Sequence, residues 1–552
     1  MKKKGLLVAC CALLLSGVEA LACTGLLVGK KASIDGSVMI SYAADSHGLY
    51  GEMYHWPAAT WPKGATLDVV EWDTGKPLGT IAQVERTYNV VGNMNEHQLA
   101  ITESTFGGRR ELRDTAGIMD YGSLIYITLQ RAKTAREAIK VMTDLVAEYG
   151  YYSGGETFSI ADKHEAWVME MVGKGPGRKG AIWVAIRIPD DCISAHANQS
   201  RIQQIPFDDK ENCLYAPDVV SFAREKGYFK GKDADFSFQQ AYCPYDFGAL
   251  RGCEARVWSF FRQYDPAMDQ YTDFIKGDPT KQPMPLYIKP NRKLSVQDVQ
   301  QGMRNHYEGT DLDMTKDAGA GPYKVPYRWR PMTFKVDGVE YTNERAIATQ
   351  QTGFVLVSQM RSWLPDAVGG VHWFGVDDAN TAIFVPMYCC MTNIPKSYAE
   401  GTADLYTFST ESAFWVNNWV ANQAYTRYSY MIKDIRAVQN DIEDTFANNQ
   451  TEVESKALEL YKQDPQKAKS FLNSYSNRVA QETTARYLQL AQYLLVKYLD
   501  GNMKREKDGE FERSNTGYPV SPKFPGYNED YYKAIVSDPA AAENLKVTPP
   551  EE

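Results

Sequence analysis

The stretch that most constrains this chain is its beginning, where a signal-like segment ends directly before a cysteine. Lys2–Lys4 are basic, Gly5–Leu15 are apolar, and Ala20-Leu21-Ala22 precedes Cys23. A basic start, a short apolar run and an Ala-x-Ala site are typical of a secretion signal, and this apolar run is too short to span a bilayer. We therefore predict that residues 1–22 are a signal peptide and that Cys23 becomes the first residue of a secreted or periplasmic protein.

An N-terminal cysteine carries a thiol and a free α-amine, which together provide a nucleophile with its own base. The ordinary pKa values are about 8.5 for the thiol and about 8 for the amine. The amine can therefore take the thiol proton directly or through one water. Two alternatives stay open for Cys23: a buried or disulfide-bonded structural cysteine, and the acylated cysteine of a lipid-anchored surface binding protein.

The composition limits the possible binding partners and the ways in which the cysteines can pair. The formal net charge is −9 and no run rich in Lys and Arg occurs, so the chain is not expected to bind nucleic acid. After the signal, no apolar stretch is long enough to predict a transmembrane segment. Seven cysteines follow residue 22, and in an oxidising compartment six of them can pair and leave one free.

Hydrophobic periodicity predicts an α+β fold, with two β blocks forming stacked sheets covered by helices. The predicted strands are Thr24–Lys30, Ser37–Tyr42, Tyr88–Met94, Leu99–Glu103, Glu156–Ala161, Glu165–Met171, Ala181–Arg187 and Cys192–Asn198 in the first block, and Gly353–Gln359, Gly370–Val376 and Ala382–Tyr388 in the second. The predicted helices are Gly122–Tyr149, Ser259–Gln263, Ser295–Gln301, Asp434–Asn448, Glu452–Gln463 and Pro465–Tyr498.

Two motifs resemble a known family. Cys23–Ser37, which reads Cys-Thr-Gly-Leu-Leu-Val-Gly-Lys-Lys-Ala-Ser-Ile-Asp-Gly-Ser, resembles the opening of the dipeptidase A family of cysteine dipeptidases. Asn93–Thr105 resembles the Gly-Met-Asn-Glu-x-Gly-Leu segment of that family. Shorter matches follow in the same order at Glu165–Glu170, Ala195–Ile202 and Ala255–Trp258. The family belongs to the N-terminal nucleophile hydrolases, alongside penicillin V acylase and bile-salt hydrolase, so the resemblance implies an αββα sandwich with a C-terminal helical extension.

The resemblance also implies roles for particular residues. Cys23 would be the nucleophile and, through its amine, the base, and Asp45 would position that amine. The side-chain amide of Asn198 and the backbone N–H of Thr105 would form the oxyanion hole. Arg256 would be the arginine near the nucleophile. Structural alternatives remain for three of them: Asp45 capping a turn, Asn198 bridging strands and Arg256 as a surface charge.

Tyr42 departs from the family pattern, because many relatives have an arginine at this place beside the aspartate. We interpret Tyr42 as a substrate-binding residue and expect the departure to affect how the thiolate is stabilised. His196 lies close to Asn198 in sequence, but we interpret it as a core residue and not as a catalytic base.

Taken together, the resemblance implies a secreted cysteine dipeptidase that cleaves dipeptides or short peptides through a thioester and needs no metal or cofactor. An amidase for N-acyl compounds, with the same mechanism and a more apolar pocket, is the enzymatic alternative. We expect a catalytic domain at 23–408, a helical extension at 409–513 and an extended tail rich in Pro and Tyr at 514–552. The extension would cover the catalytic body or form contacts in a homo-oligomer.

Overall fold

The computed structural model describes residues 23–547, so the predicted signal peptide at 1–22 lies outside the described residues. The strands are β1 (Gly25–Val28), β2 (Val38–Asp45), β3 (His55–Trp56), β4 (Ala59–Thr60), β5 (Thr66–Val70), β6 (Pro77–Ala82), β7 (Arg86–Thr87), β8 (Val90–Val91), β9 (Met94–Asn95), β10 (Ala100–Gly107), β11 (Gly155–Ala161), β12 (Ala166–Gly173), β13 (Ala181–Ile188), β14 (Ile193–His196), β15 (Cys213–Tyr215), β16 (Tyr287–Ile288), β17 (Thr333–Val336), β18 (Val339–Thr342), β19 (Thr352–Met360), β20 (Val371–Val376), β21 (Val385–Tyr388), β22 (Glu506–Lys507) and β23 (Glu510–Phe511). The helices are α1 (Tyr121–Leu129), α2 (Ala135–Tyr149), α3 (Val219–Glu225), α4 (Phe238–Tyr242), α5 (Ala255–Phe261), α6 (Thr272–Ile275), α7 (Val296–Met303), α8 (Asp366–Gly369), α9 (Ala413–Thr426), α10 (Tyr428–Gln463), α11 (Pro465–Lys497), α12 (Glu529–Val536) and α13 (Pro539–Leu545).

Two antiparallel sheets carry the fold. The first has the order β16-β14-β1-β2-β19-β20-β21, and the second has the order β15-β13-β12-β11-β10-β9-β8-β3. Their inner faces pack on each other, since Leu27 and Ile40 of the first sheet share a buried cluster with Ala100, Val168 and Ile182 of the second. The predicted stacking of two sheets is therefore present.

Helices cover the outer face of each sheet. On the second sheet, Ile101 and Trp167 are buried against Leu124 of α1 and Met142 of α2. On the first sheet, Val357 shares a core with residues of α5, α7 and the long helices α9, α10 and α11. The layers thus run helix, sheet, sheet, helix, and the predicted α+β class is confirmed.

Three helix predictions need correction. The single helix expected at 122–149 is two helices, because Thr134 starts α2 by accepting a hydrogen bond from the backbone N–H of Glu137. The two helices expected between 434 and 463 are one continuous helix, α10, since packing against α11 overrides the weak propensity around Asn448. The tail expected to be extended contains α12 and α13, each begun by a capping side chain.

The cysteine pairing that an oxidising compartment would allow is not present in the described chain. All seven cysteines between residues 23 and 547 are free, and six of them are buried. A chain of this length buries enough apolar surface to be stable without cross-links, and buried cysteines behave as small apolar side chains.

The long helices are tied to the first sheet by a buried ion pair. Arg304, which follows α7, donates from Nη1 and Nη2 to the carboxylate of Glu443 on α10, at 3.0 and 2.6 Å. The same carboxylate accepts a hydrogen bond from the backbone N–H of Phe384 at 3.0 Å.

The boundary at residue 408 between the catalytic body and the helical extension stays a prediction. None of the helices within residues 23–547 is long and apolar enough to cross a membrane.

We predict that Glu443→Ala lowers the free energy of unfolding by about 3–5 kcal/mol, because it leaves the guanidinium of Arg304 buried without its counter-charge. The matched control is Glu459→Ala on the same helix, where an exposed carboxylate pairs with Lys456; a loss below about 1 kcal/mol is expected there. Urea denaturation followed by circular dichroism measures both. Equal losses for the two variants would contradict the structural role of the Arg304–Glu443 pair.

Candidate active site

Cys23 lies immediately before β1 and is held in place by the first sheet. Thr24 exchanges two backbone hydrogen bonds with Ala43, at 3.2 and 2.9 Å. Gly25 permits a close approach that no side chain would allow, because a Cβ there would lie 2.6 Å from Nε2 of His196. The strand predicted at Thr24–Lys30 is therefore present as the shorter β1, which begins two residues after Cys23, and Cys23 is 3% exposed.

Cys23 opens onto a cleft of about 460 Å³. Aromatic and acidic side chains dominate its wall. The aromatic residues are Tyr42, Tyr50, Tyr54, Trp56, Trp72, Tyr121, Tyr126 and Phe354, and the acidic residues are Asp45, Glu52, Asp73 and Glu103. No basic side chain occurs among the described residues that line this cleft.

The sulfur of Cys23 contacts Tyr42 and Glu103. Sγ lies 3.6 Å from the Tyr42 hydroxyl and 3.5 Å from Oε1 of Glu103, and the Tyr42 hydroxyl donates a short hydrogen bond to the same Oε1. Burial, reinforced by the carboxylates of Glu103 and Asp45, raises the pKa of the Cys23 thiol well above its usual value. The surroundings of the sulfur therefore favour the thiol over the thiolate.

Asp45, at the end of β2, is fixed by two donors. Its carboxylate accepts from Arg345 Nη2 at 2.5 Å and from the Thr352 hydroxyl at 2.7 Å. Burial raises the pKa of Asp45, and the contacts with Arg345 and Thr352 oppose that rise. The sequence prediction did not include Arg345 or Thr352, because they lie some 300 residues from Asp45 and no local pattern marks them.

Arg256, on the buried helix α5, connects the nucleophile to the loop that follows β14. Nη1 donates to the backbone oxygen of Cys23 and to the Thr24 hydroxyl, both at 2.8 Å. Nη2 donates to the backbone oxygen of Ala197 at 3.1 Å and to Oδ1 of Asn198 at 2.9 Å. Its contacts with Cys23 are to the main chain, so Arg256 positions the residue without touching the sulfur.

Asn198 is held in one orientation. Its backbone has φ 62°, a left-handed conformation that asparagine adopts more readily than most residues. Because Oδ1 accepts from Arg256, Nδ2 is the donor end, and it lies 2.7 Å from the backbone oxygen of Thr105. Thr105 uses its hydroxyl to donate to Glu156 at 2.8 Å. The oxyanion-hole roles of Asn198 and Thr105 stay predictions.

A pair of buried glutamates is the main feature that the sequence prediction missed. Glu103 of β10 lies beside Glu156 of β11, and the Oε2 atoms of both accept no hydrogen bond from a described N–H or hydroxyl donor. Burial raises the pKa of Glu103 to about 7, and burial together with the charge of Glu103 raises the pKa of Glu156 further. Of the two carboxyls, Glu156 is therefore the one that holds a proton more tightly. Glu103 lies inside the motif Asn93–Thr105, and this position was the feature of the sequence that could have marked it as a site residue.

The structure brings the predicted residues into one region. Cys23, Tyr42 and Asp45 line the cleft, and Arg256 joins Cys23 to Asn198.

His196 lies in the core as expected, with its ring nitrogens 2.6 and 2.7 Å from the hydroxyls of Ser104 and Ser159. Burial and nearby arginines lower the pKa of His196 to about 3. The described residues contain no group of His, Cys, Asp or Glu side chains placed to hold a metal ion.

Comparison with known proteins shows which family and which relatives this chain is similar to. The sequence model of peptidase family C69 matches residues 22–55 and 49–441. A "Probable dipeptidase" of Latilactobacillus sakei is 28% identical over 429 residues, which cover 74% of this chain and 82% of the relative. A "Probable dipeptidase" of Salmonella dublin is 27% identical over 388 residues, covering 67% and 81%. "Dipeptidase A" of Lactobacillus helveticus is 26% identical over 449 residues, covering 77% and 84%.

We predict that Glu103→Gln shifts the pH profile of Cys23 alkylation by iodoacetamide to lower pH by about one unit, because it removes a negative charge that disfavours the thiolate. Mass spectrometry of the Cys23 peptide separates this thiol from the other six cysteines. Glu52→Gln, which removes a carboxylate elsewhere in the same cleft, is the control and should shift the profile less. An unchanged profile in Glu103→Gln would contradict the electrostatic contact.

Proposed function

The chain belongs to peptidase family C69 and is a peptidase, and we propose that it is a secreted cysteine dipeptidase whose nucleophile is the N-terminal residue Cys23. The resemblance carried by Cys23–Ser37 and Asn93–Thr105 is thereby confirmed at the level of the family. The names of the relatives from Latilactobacillus sakei and Lactobacillus helveticus support dipeptides as the substrate class.

The position of Cys23 carries this proposal. The residue follows an Ala-x-Ala site in the sequence, lies two residues before the first strand of the first sheet, and lines the cleft with its sulfur between Tyr42 and Glu103. Removal of residues 1–22 would leave a free α-amine two bonds from Cβ of the same residue. Since the surrounding carboxylates disfavour the thiolate, this amine is the base best placed to take the thiol proton.

In the proposed acylation step, the Cys23 thiolate attacks the scissile carbonyl carbon and forms a carbon–sulfur bond. The negative charge moves to the carbonyl oxygen, where Nδ2 of Asn198 and the backbone N–H of Thr105 would stabilise it. Arg256 holds Asn198 by Oδ1, which makes Nδ2 the donor end of the amide, and in this structure Nδ2 donates to the backbone oxygen of Thr105. The carbon–nitrogen bond then breaks as the protonated α-amine of Cys23 gives its proton to the leaving amine.

In the proposed deacylation step, the neutral α-amine takes a proton from water, and the resulting hydroxide attacks the thioester carbon. The carbon–sulfur bond breaks, and the amine returns the proton to the sulfur or to the carboxylic product. Asp45 would keep the amine in place, and the ion pair with Arg345 and the hydrogen bond from Thr352 keep Asp45 in place. No step in this scheme requires a metal or cofactor.

The remaining parts of the proposal concern fold type and location. We assign the helix, sheet, sheet, helix layering to the αββα sandwich of the N-terminal nucleophile hydrolases, with residues 23–408 as the catalytic domain and 409–513 as a helical extension. We place the mature enzyme outside the cytoplasm, as the segment before Cys23 indicates.

We predict that Cys23→Ser lowers kcat/KM for dipeptides by at least about 1000-fold, because a serine hydroxyl is a much weaker nucleophile for this base. The control is Cys192→Ala, which removes another buried cysteine, directly before β14, and should retain activity. The assay measures hydrolysis as the rate at which free amino acids are released. Full activity in Cys23→Ser would refute the nucleophile assignment.

We further predict that the intact mass of the protein purified from a secreting host corresponds to a chain that starts at Cys23 with an unmodified α-amine. Mass spectrometry of the N-terminal peptide measures this directly. A diacylglyceryl adduct on Cys23 would instead support the lipid-anchored binding protein, because a thioether at Sγ removes the nucleophilic thiol.

A further inference from the structure

We infer that Glu103 binds the α-ammonium group of the substrate residue whose carbonyl Cys23 attacks, so that the cleft selects peptides with an unmodified N-terminus. This inference rests on the proposed function, because it assumes that Cys23 is the nucleophile. It names the group that separates a dipeptidase from an amidase for N-acyl compounds, which share the same chemistry.

Distance supports this assignment. In an amino acid, the α-nitrogen and the carbonyl carbon are separated by two bonds and lie about 2.5 Å apart. A nucleophile ready to attack lies about 3–3.5 Å from that carbon. The ammonium nitrogen therefore falls within about 6 Å of Sγ of Cys23. Oε1 of Glu103 lies 3.5 Å from Sγ, so its carboxylate can reach the ammonium at a hydrogen-bonding distance of about 2.8 Å.

The contacts of Glu103 leave it able to accept a further donor. Tyr42 donates to its Oε1, and Glu156 lies beside it with an equally unpartnered Oε2. Burial raises the pKa of the Tyr42 hydroxyl, and burial together with the charge of Glu103 raises the pKa of Glu156. No cationic side chain contacts either glutamate among the described residues that line the cleft. A carboxylate has about four acceptor positions, so Glu103 keeps acceptor capacity for an ammonium.

The negative charge of the cleft favours the binding of a cationic ligand. Asp45 is neutralised by Arg345, whereas Glu52, Asp73 and Glu103 have no basic side chain beside them within the described lining. Asp73 is exposed and accepts from the Tyr121 hydroxyl at 2.8 Å, and Glu52 is half-buried. Neither is recorded in contact with the sulfur. Glu103 is therefore the acidic residue of the lining that lies next to the nucleophile and has no cationic partner.

An alternative use of the same carboxylate is as the base that takes the proton of Cys23. The two roles make different predictions about substrates. A base acts on the enzyme's own thiol and affects every substrate alike, whereas an ammonium receptor affects only substrates that carry an ammonium. The comparison of a free with an N-acetylated substrate therefore distinguishes them.

The test measures kcat/KM of the mature enzyme for an alanyl dipeptide and for its N-acetyl derivative. We expect the wild type to prefer the free dipeptide by at least about 100-fold, as the loss of a charged hydrogen bond implies. In Glu103→Gln we expect this ratio to fall to about tenfold or less, mainly through loss of activity on the free dipeptide. Glu52→Gln, which removes the same charge from the cleft at a distance from the sulfur, should keep the ratio within a few-fold of the wild type.

Several outcomes would overturn the inference. A wild type that cleaves both substrates equally, a Glu103→Gln variant that loses both activities in proportion, or a Glu52→Gln variant with the same loss of preference would each do so. These results differ from failure of the proposed function, in which the wild type cleaves no dipeptide or Cys23→Ser remains active. Thermal melting of Glu103→Gln confirms that the variant is folded; if it is not, Glu103→Asp, with a shorter carboxylate, replaces it and should also lower the ratio.

Discussion

The site depends on one buried guanidinium. Arg256 has five N–H donors and makes five hydrogen bonds, the fifth from Nε to the backbone oxygen of Gly252. Four of the acceptors belong to the segments that carry Cys23 and Asn198, which are distant in sequence. A fully buried cation is costly unless all its donors are used. That cost fixes the relative position of the nucleophile and the amide, because any displacement leaves a donor of Arg256 unpaired.

The second feature that shapes the chemistry is negative charge around the sulfur. A cysteine hydrolase needs a thiolate, yet Tyr42 and Glu103 touch Sγ, and burial together with the neighbouring carboxylates raises the pKa of the thiol. This arrangement is consistent with a base that is part of Cys23 itself. It also allows Glu103 a role other than changing the pKa of the thiol, since a carboxylate beside the nucleophile can bind a cationic part of the substrate.

Much of the fold was predictable, because strands and helices follow from local periodicity. The strands of the second block, Gly353–Gln359 and Gly370–Val376, match β19 and β20 closely. The pairing of strands was not predictable. β2 pairs with β19 in the first sheet, about 300 residues away, whereas β3 and β8 to β13, which come between them in sequence, belong to the second sheet. The errors at 122–149 and in the tail arose where capping side chains begin helices within polar segments.

For the site, the sequence by itself determined the cysteine after the signal-like segment, the strand that holds it and, by resemblance, the family. These are local properties, written in consecutive residues. Only the tertiary structure decided that Glu103 touches the sulfur, that Glu156 lies beside it, and that Arg345 rather than a neighbour in sequence pairs with Asp45. The physical reason is that a buried charge is stabilised by whichever partner the packing of the two sheets brings within a few ångströms, and nothing in the local pattern of residues records that distance.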